Sequence, residues 1–218
     1  MSTSAACSFA SSPYLIGGLS WRPDGHVAFK VTWVYGKTGP FTSPCTPEGR
    51  ETNIQIERKV WCSQRQNECH KVYAAGNKGG PVKGSPCYDV DAFSDWAFSG
   101  GVLHSGPRQG QPIPLRFAKT GKLAFLTSKG VDTKESDRLV LGWFEITDIT
   151  GPDEEMWVSG RHGVRVPNSS LQSAPKFWKF YRQSGGPRWG SGLFRYLSDG
   201  QAMRLRDAIM KAADKGSP

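Results

Sequence analysis

What this chain lacks narrows its function before any motif is read. No apolar run approaches the ~18 residues of a membrane-spanning helix, so no transmembrane segment is expected. The opening MSTSAACSFASS has no basic start followed by an apolar stretch and does not read as a secretory signal. It reads as a disordered tail over residues 1–12, ahead of a single domain over 13–218, in a cytoplasmic protein. There is no glycine-rich loop ending in Lys-Ser/Thr, which excludes a P-loop. A Gly-x-Ser-x-Gly elbow is absent too, since GSGLF around Ser191 lacks the form, and so is His-Glu-x-x-His. The four histidines, His26, His70, His104 and His162, are far apart.

Metal chemistry is equally thin. Nucleases need clustered acids so that a metal can clamp phosphate oxygens. Asp89, Asp91 and Asp95 form a close acidic set outside 153–155, and a solvated helix face accounts for them. The five cysteines, Cys7, Cys45, Cys62, Cys69 and Cys87, are odd in number and show no Cys-x2-Cys spacing. Cys62, Cys69 and Cys87 with His70 offer four soft ligands for a structural zinc, but adjacent Cys69 and His70 suit one ion poorly. Reduced thiols of a cytosolic protein are the reading adopted, with no metal or cofactor expected.

What the chain does have is positive charge, and at one end. Its 218 residues carry 28 Lys and Arg against 19 Asp and Glu, a net charge of +9. Residues 160–218 hold eleven of those cations and three of the anions, a net of +8, and leave +1 for residues 1–159. A surplus so concentrated marks a polyanion-binding face. A basic surface that serves solubility is the plainer alternative.

The patterning is that of a mixed, mostly β domain. In VAFKVTWVY (27–35), Val27, Phe29, Val31, Trp33 and Tyr35 share one face, as in a half-buried strand. IQIERKVW (54–61) reads as another strand, KLAFLT (122–127) as a buried one, and RLVLGWFEITDI (138–149) as the strongest. MWV (156–158) and GVRVP (163–167) read as two short strands. YDVDAFSDWAF (88–98) reads as a short helix, and APKFWKFYRQ (174–183) as a helix opened by Pro175. Ser198 and Gln201 form a capping box for QAMRLRDAIMKAA, a basic helix with Ala202, Leu205, Ala208, Ile209 and Ala212 on one face.

Between these elements, residues 96–114 (WAFSGGVLHSGPRQGQPIP) form a loop rich in glycine and proline. Aromatics beside such a loop suit stacking on a nucleobase. A flipped base needs aromatic walls and a polar group that reads its Watson–Crick edge, and a carboxylate accepts from the exocyclic amine of cytosine. Trp21, Asp89, Trp96, Phe98 and His104 are therefore the candidate base-binding residues. Gly100 and Gly101 would let the backbone approach the base. Arg108, Arg182, Arg188 and Arg195 are candidate phosphate ligands, while Leu193, Phe194 and Leu197 look like core.

PCYDVDAFSDWAFSGG, GQPIP, GKLAFLTSKGVDTKESDRLVLGWFEITDI and FWKFYRQSGGPRWGSGLFRYLSDGQA, in this order, resemble the EVE-type modules of the PUA superfamily. The likeness is greatest to modules that precede HNH nucleases in modification-dependent restriction enzymes. It runs from about Trp61 to about Ala213 and rests on the order of blocks. It implies an α+β fold: a PUA-like, curved or barrel-like β-sheet flanked by short helices. It also implies recognition of 5-methylcytosine or its hydroxymethyl form by base flipping, as YTH and SRA relatives read modified bases. With no HNH segment before Pro218, it implies a non-enzymatic reader of modified cytosine in DNA, with a separate nuclease as a candidate partner. An RNA-binding PUA-like module and an enzyme acting on a flipped base are the alternatives. Exposed tryptophans would equally suit a subunit interface.

Overall fold

The computed structural model describes residues 23–31, 51, 54–55, 60–76, 95–101, 107–108, 111–130, 133–151, 156–182, 185–190 and 192–215. Six strands form one sheet: β1 (His26–Lys30), β2 (Ala97–Ser99), β3 (Leu123–Ser128), β4 (Leu139–Thr150), β5 (Trp157–Arg165) and β6 (Phe194–Leu197). Their order is β2-β5-β4-β3-β1-β6, with β1 parallel to β3 and the other pairs antiparallel. Two short helices, α1 (Val60–Ser63) and α2 (Glu68–Ala74), follow β1, and a long one, α3 (Asp199–Asp214), follows β6. The architecture is a mixed α+β half-barrel closed on its convex side by α3. No described helix is long and apolar enough to cross a membrane.

The curl is visible in side chains. Phe98 of β2, an edge strand, stacks on Phe29 of β1, near the other edge, with ring centres 5.2 Å apart. Phe98 also lies against Phe144 of β4, and Phe29 against Phe194 of β6. Two strands that far apart in sheet order touch only if the sheet bends round on itself. The same rings continue outward. Trp96 meets Phe144 at 5.6 Å, Phe194 meets Tyr196 at 5.3 Å, and Tyr196 meets Phe117 at 5.3 Å. One chain of ring contacts thus crosses the hollow from Trp96 to Phe117. Each contact between rings adds ~0.5–1.5 kcal/mol to the gain from burial.

Glycine is needed where this closure is tightest. A Cβ on Gly100 would lie 1.8 Å from the Ile113 carbonyl oxygen, and one on Gly101 2.1 Å from Leu193. The Ile113 amide donates to the Gly101 carbonyl at 2.7 Å. The close approach expected of a base at these glycines is made by the chain itself.

The convex side is a second core. Paired residues point the same way, so Arg195, Ala28, Phe125, Trp143 and Val164 form one row across β6, β1, β3, β4 and β5. Trp143 and Phe144 point to opposite sides, as expected of neighbours in a strand. α3 covers this layer with Ala202, Leu205, Ile209 and Ala212, spaced for one helical face and all buried. Burying Leu205 or Ile209 contributes ~1.5–3 kcal/mol each. The expected capping box is present: Ser198 Oγ accepts from the Gln201 amide, and Gln201 Oε1 from the Ser198 amide.

Four local expectations are corrected. β1 is buried on both faces rather than one, because it lies inside the sheet with the hollow on one side and α3 on the other. The stretch 54–61 is not a strand where described: Ile54 and Gln55 are helical and Val60 begins α1. Ser63 Oγ donates to the Ile54 carbonyl, and eight residues of alternation discriminate poorly between strand and helix. Of the expected 174–183 helix, the described residues 174–182 form only a 3-10 turn, Phe177–Lys179. Their backbone is engaged by β4 instead, since the Val140 amide donates to Pro175 and the Phe177 amide to Arg138. Finally, 156–158 and 163–167 are not two strands. Trp157–Arg165 is one strand, with register shifts against β4.

His26 ties these layers together. It is 2% exposed, and its Nδ1 accepts from the Leu123 amide at 2.8 Å. Nε2 therefore carries the proton and donates to Asp199 Oδ1 at 2.8 Å. Lys122 Nζ also donates to Asp199, and Asp24 accepts from the Asp199 amide. Burial, the largest influence, lowers the His26 pKa from 6.5 against the pull of Asp199. The unfolded chain then binds a proton near pH 6.5 that the folded chain resists. This contribution is complete above that pH and declines as pH falls toward the folded value. Hydrogen bonds from Lys122 and His26 hold Asp199 below 3.8, so its titration lies outside that window. The melting temperature should be lower at pH 5 than at pH 7.5, with a slope of up to about 1.4 kcal/mol per pH unit from this group. In His26→Gln that difference should shrink, measured by thermal melts across the range.

Candidate nucleic-acid interface

The best-defined candidate site sits where β2 begins. Trp96 has φ 51 and His162 has φ 56, the two non-glycine residues in the left-handed region among those described. A bulky residue there costs on the order of 1–3 kcal/mol, and such strain gathers at functional sites. Trp96 immediately precedes β2, and His162 lies within β5. Trp96 ends the helical turn at Asp95, and its carbonyl accepts from the Gly160 amide at 3.0 Å. The expected 88–98 helix is therefore corrected at its end, since Ala97–Ser99 is a strand paired with β5.

The half-buried indole of Trp96 lies against β5 at Gly163, where a Cβ would come within 2.0 Å of the ring. The Arg165 guanidinium sits 4.9 Å from the ring centre. Burial lowers the Arg165 pKa from its ordinary value; an arginine guanidinium is a cation at neutral pH. Arg161 and His162, on the same strand, are exposed. The result is an aromatic plate with a cation against it, at one end of the ring chain and beside further basic groups. Such a site can stack a planar ligand and neutralise an anion.

The other expected site residues are placed as follows. Phe98 is 2% exposed and belongs to the inner core, so it supports Trp96 through Phe144 and presents no surface of its own. Trp21, Asp89 and His104 lie outside the described residues, as do the 102–106 part of the loop, Cys87 and the Cys69 side chain. Cys62 is half-buried in α1. Among the described residues, no group of three His, Cys, Asp or Glu is placed to hold a metal ion.

Among the candidate phosphate ligands, Arg108, Arg182 and Arg188 are exposed. Arg195 is different. It is half-buried on the convex side, with its guanidinium 5.6 Å from the Trp189 ring centre and Nη1 donating to the Phe194 carbonyl. Trp96 and Arg195 therefore face opposite sides of the sheet.

Sequence reasoning missed Arg165, Arg161 and His162. The signal was the strand itself: Gly163 and Arg165 are two residues apart and so share a face, but only the tertiary fold puts Trp96 against that face. The His26–Asp199 pair was also missed. It cannot activate a nucleophile through the usual relay, because the Leu123 amide occupies Nδ1 and the carboxylate occupies Nε2.

A scan against protein-family models, a search of curated proteins and a search of solved structures each find no match.

Gly163→Ala should drive the Trp96 ring off β5. The expected signs are altered near-ultraviolet circular dichroism and a loss of ~1–3 kcal/mol in denaturant unfolding.

Proposed function

We propose that this chain is a nucleic-acid-binding module with a PUA-like half-barrel, and that it reads modified cytosine in DNA, with 5-methylcytosine the first candidate. One observation carries the reading: Trp96, held in a strained conformation at the mouth of the hollow, with Arg165 against its ring. Backbone strain, a half-buried indole and a half-buried cation are gathered there at one point. A flipped base would gain a stacking partner there, and its phosphates would meet a chain of net charge +9. The sequence resemblance to EVE-type modules supplies the modified base. The reading is of a cytoplasmic binding protein rather than an enzyme, with DNA as its partner. A separate nuclease would act on what it marks.

The test is a titration at fixed, near-physiological salt with a duplex carrying 5-methylcytosine, the same duplex unmodified, and the matching RNA. The expected result is tightest binding to the methylated duplex, with loss of that preference in Trp96→Ala while far-ultraviolet circular dichroism shows the fold retained. Equal binding to both duplexes would reduce the activity to phosphate contact. A preference for RNA would move the reading to an RNA-binding module.

A further inference from the structure

The far end of the ring chain carries a second feature. Leu115 and Ala118 are both buried, and the Ala118 amide donates to the Leu115 carbonyl at 2.9 Å. This makes a tight turn anchored in the core at both ends, with Arg116 and Phe117 at its tip. Phe117 is 46% exposed, and Arg116 and Lys119 are exposed beside it. The turn is held rigidly. The Phe117 amide donates to the Tyr196 hydroxyl at 3.2 Å, and the two rings meet edge to face. At Gly25 (φ 103) the chain runs close under the Lys119 stem, 3.0 Å from where a Cβ would stand.

Neither Arg116 nor Lys119 forms an ion pair among the described residues. Asp199 pairs with His26 and Lys122, and Asp24 accepts from the Asp199 amide. An exposed aromatic displayed between two cations that form no ion pair among the described residues matches a base between two phosphates. It suits an apolar protein surface less, because docking there would strip water from both charges.

We propose that the Arg116–Phe117 turn is a second nucleic-acid contact, in which Phe117 stacks on a base and Arg116 and Lys119 hold the flanking phosphates. This rests on the nucleic-acid reading above and extends it to a surface that recognises no particular base. Every base has a face to stack on, so the contact adds affinity without choosing sequence or modification.

Phe117→Ala, Phe117→Tyr and the double variant Arg116→Ala/Lys119→Ala, each in the 218-residue chain, would be titrated with the methylated and unmodified duplexes by fluorescence anisotropy. Phe117→Ala should weaken both by roughly 5- to 150-fold and leave their ratio unchanged. Phe117→Tyr should retain wild-type affinity. The double variant should flatten the slope of log affinity against log salt by about 2. If Phe117→Ala binds like wild type while Trp96→Ala loses its preference, this proposal fails and the Trp96 reading stands. If Phe117→Ala weakens both duplexes while Trp96→Ala keeps its preference, the turn stands and the Trp96 reading fails. Self-association in sedimentation that Phe117→Ala abolishes, with DNA binding unchanged, would make the turn a protein interface. No nucleic-acid binding by the wild type would overturn both.

Discussion

The stacking of Phe98 on Phe29 is the contact on which the rest of this structure depends. It joins β2, at one edge of the sheet, to β1, next to the other edge, and so turns a flat ladder into a hollow. The cost is backbone crowding, met by glycines at the tight points. Gly160 is the most constrained on β5, where a Cβ would stand 1.8 Å from the Glu145 carbonyl oxygen and 2.4 Å from the Phe144 ring. Curling also explains why Trp96 and Phe117, far apart in sequence, end one chain of ring contacts. The hollow is filled by aromatic rings, and those at its two ends reach the surface.

The convex side is organised by a buried cation. Arg138 is 1% exposed, yet its charge is met from several directions. Nε and Nη2 donate to the two Glu135 oxygens at 2.5 and 2.9 Å, and Nη1 donates to the Thr127 carbonyl. Its guanidinium also lies 4.6 Å from the Trp189 ring centre. Burial would raise the Glu135 pKa, but the hydrogen bond and charge of Arg138 outweigh it and hold the carboxylate ionised. A buried pair of this kind is costly to break, since either partner alone is an uncompensated charge. Trp178 donates to the same carboxylate, and Phe177 packs on Trp189. The basic segment around Trp189 is thus fastened to the sheet by contacts that spend some of its aromatic and cationic groups on structure.

That use of side chains is why the candidate site was only partly legible. Arg195 looked like a phosphate ligand because it lies in a basic, glycine-rich stretch. Strand register turns it inward over Trp189. Phe98 looked like a pocket wall because it stands next to a loop, and the curl of the sheet makes it core. Trp96 stood out in the sequence as an indole at the entry to a glycine-rich turn. Its partner Arg165 did not, because the two are 69 positions apart and meet only through the β2–β5 pairing.

Local pattern determined the elements whose signals lie within one segment. α3 is written in its capping box and its apolar spacing, and β3 and β4 in their runs of apolar residues. The uneven distribution of charge is also a property of sequence alone. Tertiary structure decided which strands are buried on both faces, where the backbone of 175–177 finds its hydrogen bonds, and which aromatics reach the surface. The physical reason is range. A helix closes its hydrogen bonds within four residues, so its sequence carries the instruction. A sheet closes them between distant segments, and its curvature is set by contacts such as Phe98 on Phe29 that no local window contains.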